Sequence, residues 1–209
     1  MRRIFCVGRN YADHAREMGR DPDREPPFFF TKFPDSVVPS GSTIAYPPGT
    51  ANYHYEMELV IAMGAHRFKA NTDNVLDAVY GYACGLDMTR RDLQLQAREQ
   101  GRPWDLGKSF EESAVMGSIR PASAVPSLGT ARISLEVNGT IRQTSSIGDM
   151  IWSTAEIISI LSQYYPLGPG DLIFTGTPAG VGAVVPGDYL LGKIDSLPSV
   201  ETKIGNQVG

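Results

Sequence analysis

Two carboxylates two residues apart on an apolar strand are the sharpest chemical feature of this chain. Glu56-Met57-Glu58 lies within Tyr53 to Met63, where Tyr53, Tyr55, Met57, Leu59 and Ile61 alternate with His54, Glu56, Glu58, Val60 and Ala62. Strand side chains two apart share a face, so both glutamates project together. Burying two like charges side by side is costly unless something positive sits between them. Asp87 ends a second apolar run, Tyr80 to Leu86, at the strand terminus where binding sites gather. Glu56, Glu58 and Asp87 together make an all-oxygen set, which suits Mg²⁺, Mn²⁺ or Ca²⁺, whereas zinc would want His or Cys. Three protein ligands leave positions for water or a chelating substrate. The structural alternatives are a solvent-facing polar stripe for the glutamates and a helix N-cap for Asp87. His54 shares the Glu56 face and is either a fourth ligand or an ordinary half-buried histidine.

Other residues could act on a substrate held there. His14 and Glu17 are three apart on a predicted helix, hence neighbours. A carboxylate beside an imidazole orients it and raises its basicity, as a water-activating base requires; the alternative is a surface pair. Arg91 and Gln94 have the same spacing and could hold a substrate carboxylate or oxo group, or simply belong to a solvated helix face. Lys108, a lone charge in Leu106-Gly107-Lys108-Ser109-Phe110, could stabilise an oxyanion or be a loop lysine. The loop Thr175-Gly176-Thr177-Pro178-Ala179-Gly180-Val181-Gly182 could offer backbone N–H groups to an anion, but no Gly-Lys-Ser/Thr follows, so it is no Walker loop.

The elements that must position these groups are mostly short strands. Strands are expected at Ile4 to Val7, Phe28 to Lys32, Ser42 to Tyr46, Tyr53 to Met63, Tyr80 to Leu86, Leu172 to Phe174, Tyr189 to Lys193 and Val200 to Ile204. Ile133 to Val137 and Thr140 to Thr144 flank Asn138-Gly139, the strongest short hairpin signal. Helices are expected at Asn10 to Met18, Asp73 to Val79, Ile151 to Tyr164, and from Thr89 as cap to about Gln100, stopped by Gly101. Asp21 to Pro27, charged and proline-containing, reads as an exposed loop, and Ala12 to Pro26 as a mobile segment. The sum is an α+β chain, mostly β.

The 209 residues, 42% hydrophobic and 20% charged, suit one globular domain and exclude disorder, collagen and coiled coil. A net charge of -4 without a long basic run argues against nucleic-acid binding. No apolar run reaches the roughly 18 residues of a membrane helix, and the apolar stretch after Arg2-Arg3 stops at Gly8, as in a buried strand rather than a signal peptide. Two cysteines, Cys6 and Cys84, are too few for a disulfide framework, so the expected compartment is the cytoplasm.

Five motifs in order resemble the fumarylacetoacetate hydrolase family. They are Val7-Gly8-Arg9-Asn10-Tyr11-Ala12-Asp13-His14, Tyr55-Glu56-Met57-Glu58-Leu59, Gly85-Leu86-Asp87-Met88-Thr89-Arg90-Arg91-Asp92, Gly107-Lys108-Ser109-Phe110 and Phe174 through Gly182. The resemblance runs from Arg3 to about Ile204 and is strongest to its small acylpyruvate hydrolases. The stretch Asp21 to Lys32 resembles bacterial fumarylpyruvate hydrolases of gentisate breakdown. It implies an α+β fold, a mixed β-sandwich roll with a few peripheral helices, spanning 1–209 as one catalytic domain, with about 10–27 as a mobile lid. It implies Glu56, Glu58 and Asp87 as ligands of Mg²⁺ or Mn²⁺. His14 and Glu17 fall on the lid dyad, and Arg91, Gln94, Lys108 and Thr177 on substrate-contacting positions. It also implies a small-molecule 2,4-dioxo acid substrate and a homodimer. Phe33 stands where related chains often carry proline. Hydrolytic cleavage of an acylpyruvate, such as fumarylpyruvate to fumarate and pyruvate, is the expected reaction. A decarboxylase, isomerase or tautomerase on the same scaffold is the nearest rival, and a non-catalytic metal-stabilised interaction protein a rival of another class.

Overall fold

The computed structural model describes residues 1–18, 25–125 and 127–207. Among the described residues the strands form three curled sheets, accompanied by four helices: α1 (Ala12–Glu17), α2 (Arg91–Glu99), α3 (Asp105–Lys108) and α4 (Thr154–Tyr164). The expected α+β, mostly β character and the roll with peripheral helices are what the chain adopts.

The largest sheet runs Phe28–Lys32, Arg3–Gly8, Asp171–Phe174, Met57–Met63, Val79–Asp87, Ala114–Met116, Val37–Pro39, with Arg120–Pro121 added beside Val79–Asp87. It is mixed: Arg3–Gly8 pairs parallel with Asp171–Phe174, and Val37–Pro39 parallel with Ala114–Met116. A second sheet runs Thr140–Ser146, Arg132–Val137, Tyr189–Ile194, Val200–Gln207, Thr43–Tyr46. A third, of Gly182–Ala183, Tyr53–Tyr55 and Thr89–Arg90, brackets the site.

Alternation decides which side chains meet. Met57, Leu59, Cys84 and Leu86 pack against Ile133, Leu135, Leu190, Val200 and Ile204 of the second sheet. On the opposite face of the large sheet, Ile4, Cys6, Val60, Ala62, Ala83, Leu172 and Phe174 form a separate cluster. Glu58, in phase with Val60 and Ala62, therefore points to that second face. Every residue of Met57–Met63 is buried, so the strand is core on both sides. Helix α4 covers another part of the first face, with Ile157, Ile158 and Leu161 against Phe5, Val7, Ile61 and Ile173.

The hairpin forms as expected, with Asn138 and Gly139 both at positive φ, 51° and 77°. Several expectations need correction. The strand expected from Tyr53 to Met63 breaks at Glu56 into Tyr53–Tyr55 and Met57–Met63, which join different sheets. Asp73 to Val79 forms only a 3₁₀ turn at Leu76–Ala78, since so short a stretch cannot repay helix nucleation. The helix expected from Ile151 begins at Thr154, because Ser153 and Glu156 close a capping box. Helix α2 starts at Arg91; Thr89 is not its cap but sits in a two-residue strand.

Candidate active site

Antiparallel pairing of Met57–Met63 with Val79–Asp87 assembles the centre. The register sets Met57 against Leu86 and Glu58 against Gly85. One step beyond, the Asp87 N–H donates to the Glu56 carbonyl at 2.9 Å. The two-residue spacing of Glu56 and Glu58 is thus matched by Gly85 and Asp87 next door, and one oxygen from each carboxylate lies within 4.8 Å of the others. All three residues are buried, which rules out the solvent-facing stripe. Gly85 is required by close approach: a Cβ there would lie 2.5 Å from Val60 Cγ2 and 2.8 Å from Phe174 Cε1.

Cations surround two of the three carboxylates. Lys108 Nζ donates to Glu56 Oε2 at 2.8 Å, Asp87 Oδ2 at 2.9 Å and Thr89 Oγ1 at 2.8 Å. Its three protons are therefore engaged. Arg91 donates to the other Glu56 oxygen, and to Gln94 Oε1 at 3.1 Å. Lys32, fully buried, sits 2.8 Å from Asp87 Oδ1 and donates to the Met88 and Lys108 carbonyls. Among the described residues Glu58 has no ion-pair partner; it accepts the Gly176 N–H at 2.7 Å.

These surroundings separate the carboxyl groups. Burial works against the Glu56 carboxylate, but Lys108, Arg91 and His14 outweigh it and hold its pKa well below the usual range. Burial, then Asp87 and Glu56, push Glu58 well above its ordinary value. Burial opposes the Lys108 ammonium, yet Asp87 and Glu56 raise its pKa. Asp87 Oδ1 accepts no hydrogen bond, because the nearby Lys32 ammonium is not aligned to donate to it. A buried all-oxygen set with one oxygen lacking a donor and one carboxylate lacking a cation fits a hard divalent ion. His54 stands outside this set: its ring nitrogens face Asn52 Oδ1 at 2.8 Å and Arg91 Nε at 3.4 Å, and burial with Arg91 pushes its pKa down to about 4.

The helix α1 covers this centre. Asn10 pins its entry, donating to the Thr175 and Trp152 carbonyls at 2.8 and 3.0 Å and accepting the Trp152 N–H at 2.7 Å. His14 is buried, with Nδ1 3.2 Å from Glu17 Oε2. Glu17 in turn accepts the Gly180 N–H at 3.1 Å, tying α1 to the glycine-rich loop. Burial lowers the His14 pKa, with Glu56 and Glu17 opposing. That loop does present N–H groups to anions, but to Glu58 and Glu17 of the protein itself. Gly176 and Gly180 have φ of 96° and 95°, and a Cβ on Gly180 would lie 2.1 Å from the Arg142 carbonyl oxygen. Of the expected lid, residues 19–24 lie outside the described residues.

One small cavity of about 30 Å³ is lined by His14, Glu56, Glu58, Arg91, Gln94, Lys108 and Thr177. Asp87 lies behind it and Glu17 supports His14. Arg91 and Gln94 are buried rather than on a solvated face. Thr177 donates to the Met57 carbonyl and accepts from Gln143 Nε2, both at 2.8 Å. Phe33 is 58% exposed, and its N–H donates to Ser109 Oγ at 2.8 Å, a bond proline could not make. Sequence reasoning missed Gln143, Thr89 and the pairing of Lys32 with Asp87. Gln143 sits in a polar hairpin strand with no distinguishing signal. Lys32, at the end of three phenylalanines, carried the signal of a charge on an apolar strand.

The family model described as fumarylacetoacetate hydrolase, C-terminal, matches residues 3–205. A fumarylpyruvate hydrolase of Ralstonia sp is 52% identical over 190 residues, 90% of this chain and 98% of its own. The mitochondrial oxaloacetate tautomerase of Homo sapiens is 41% identical over 201 residues, 96% of this chain and 90% of its own. The crystal structure of a Pseudomonas aeruginosa fumarylpyruvate hydrolase in complex with Mn²⁺ and pyruvate superposes with a TM-score of 0.97 at 54% identity, covering 99% of this chain and 91% of that one.

Proposed function

This chain belongs to the fumarylacetoacetate hydrolase family, and from that membership we propose that it is a divalent-metal-dependent hydrolase of acylpyruvates, with fumarylpyruvate as substrate. The observation that carries the reading is the meeting, in one cavity, of the buried carboxylates Glu56 and Glu58 with His14 of a covering helix, itself held by Glu17. Glu56, Glu58 and Asp87 would hold Mn²⁺ or Mg²⁺, which supplies Lewis-acid charge to a chelating 2-oxo acid. Mn²⁺ is favoured by the similar Pseudomonas enzyme, whose structure contains it with pyruvate.

The chain's own groups do the rest. Arg91 and Gln94 orient the substrate carboxylate, and Thr177 fixes the pocket wall. Donation of the Nδ1 proton to Glu17 leaves the Nε2 lone pair of His14 for a water proton. The water oxygen adds to the distal carbonyl carbon, and Lys108 gives up one of its three bonds to meet the developing oxyanion. The bond between that carbon and the neighbouring methylene breaks, its electron pair leaving with pyruvate as the enolate, which takes a proton at carbon. The acyl group departs as fumarate. Helix α1, closing over the cavity, keeps bulk water out of this sequence. A cytoplasmic homodimer is the proposed setting.

A second reading, oxaloacetate tautomerisation, is supported by the 41% identical human relative of that name. It needs proton transfer at carbon but no attacking water. The test is purified protein with Mn²⁺ or Mg²⁺ given fumarylpyruvate, acetylpyruvate and oxaloacetate, with products identified. Equal amounts of fumarate and pyruvate support the hydrolase. Enol–keto exchange of oxaloacetate without cleavage of either acylpyruvate would replace it with the tautomerase.

A further inference from the structure

The cavity at the carboxylates is too small for a whole acylpyruvate; at about 30 Å³ it has room for roughly two or three water molecules. A groove of about 650 Å³ adjoins it, and the two spaces share four wall residues: Arg9, Phe30, Arg98 and Trp104. Phe30 and Trp104 meet at 5.7 Å between ring centroids with their planes tilted by 50°, and Lys108 Nζ lies 5.1 Å from the Phe30 ring. These rings, in contact with each other, make an apolar wall shared by the two spaces. Along the shared wall and the groove the charge is mostly positive: Arg9, Arg98 and Arg102 against Asp105.

Helix α2 lines both spaces. Arg91, Gln94 and Arg98 are spaced three and four apart, so they form one stripe. Arg98 stands about 10 Å further along the helix than Arg91, a separation comparable to the length of an extended keto diacid. Arg98 is half-buried and donates to the Met18 carbonyl, at the end of α1, over a long 3.4 Å. A guanidinium has five donors, so it can meet a carboxylate while keeping that contact.

Resting on the acylpyruvate reading, we propose that Arg98 is the specificity-determining residue for an acyl arm ending in a carboxylate: the planar arm lies along the apolar wall made by Phe30 and Trp104, and Arg98 binds its distal anionic group. The enzyme then prefers acylpyruvates that are diacids over those with a short neutral acyl group.

The test compares fumarylpyruvate with acetylpyruvate in wild type, Arg98→Gln and Arg98→Lys, all with Mn²⁺. The ratio of kcat/KM for fumarylpyruvate to that for acetylpyruvate should fall at least tenfold in Arg98→Gln, chiefly through KM for fumarylpyruvate. Arg98→Lys should recover part of the ratio, since the charge returns without the fork. An equal loss on both substrates in Arg98→Gln would show that Arg98 only holds α1, and would overturn the proposal. An unchanged ratio would overturn it as well. Cleavage of neither substrate by wild type would instead defeat the hydrolase reading beneath it.

Discussion

Replacing His14 with alanine removes the one imidazole that, among the described residues, lines the carboxylate cavity. Its Nδ1 is committed to Glu17 at 3.2 Å, so the only basic atom lost to the substrate is Nε2. A general base contributes roughly 10²–10⁴ in rate, which is about 3–5 kcal/mol of barrier. The fold should barely register the change. Asn10 still pins the helix entry with three hydrogen bonds, and Glu17 still accepts from Gly180. A loss of about 1 kcal/mol in unfolding free energy is expected, typical of single substitutions. Metal content should stay at the wild-type level, because no ligand is touched. The pH profile gives an independent reading. Burial lowers the His14 pKa below 6.5, so the neutral, active base persists above that lowered value and is lost as pH falls through it. Wild-type kcat/KM should therefore be flat near neutrality with an acid limb below 6.5, and His14→Ala should lack that limb. Glu17→Gln should lose about tenfold, since an amide oxygen can still accept from Gly180 but orients the ring less well. The assay is disappearance of the fumarylpyruvate enol absorbance with metal analysis on the same samples. Wild-type turnover by His14→Ala would refute the assignment of the base.

Two further substitutions probe the scaffold of the centre. Lys32→Met leaves Asp87 with Lys108 alone and should cost about 3 kcal/mol in urea unfolding with chelator present, the low end for breaking a buried ion pair; a cost under about 1 kcal/mol would mean that Lys32 is not needed to balance Asp87. Gly176→Ala forces a side chain onto a residue at φ 96° and puts a Cβ 2.8 Å from that of Asn10. It should destabilise by more than about 1 kcal/mol and weaken metal binding by shifting the N–H that holds Glu58; unchanged metal affinity by calorimetry would separate that bond from the site.

The carboxylate set was legible in the sequence because Glu58 and Asp87 stand in apolar strands and Glu56 at the break between two, so each is a charge among apolar neighbours. The hairpin was legible because Asn-Gly alone selects its turn. What the sequence hid depends on register between distant strands. Thr89 reads as a helix cap by residue type, yet its hydroxyl donates to the Asp87 carbonyl at 3.1 Å and receives Lys108, because the chain stays extended to Arg90. Lys32 meets Asp87 only once the strand Phe28–Lys32 has been placed at the sheet edge, 55 positions away in sequence from its partner. The break at Glu56 is likewise invisible to a pattern that alternates straight through it; the strand changes sheets there, and the glutamate's carbonyl is taken by Asp87. The capping box Ser153-Thr154-Ala155-Glu156 was written in the chain and defines the start of α4 more sharply than the apolar spacing does.

The most direct measurement is a Mn²⁺ titration of chelator-stripped wild type and Asp87→Asn, following ion binding and fumarylpyruvate cleavage in the same samples. Wild type should bind one ion per chain at this centre, with pyruvate and fumarate appearing in step with occupancy. Asp87→Asn should need far more Mn²⁺ and remain nearly inactive. Full cleavage by wild type in excess chelator, or wild-type binding and turnover by Asp87→Asn, would contradict a metal-dependent hydrolase built on Glu56, Glu58 and Asp87.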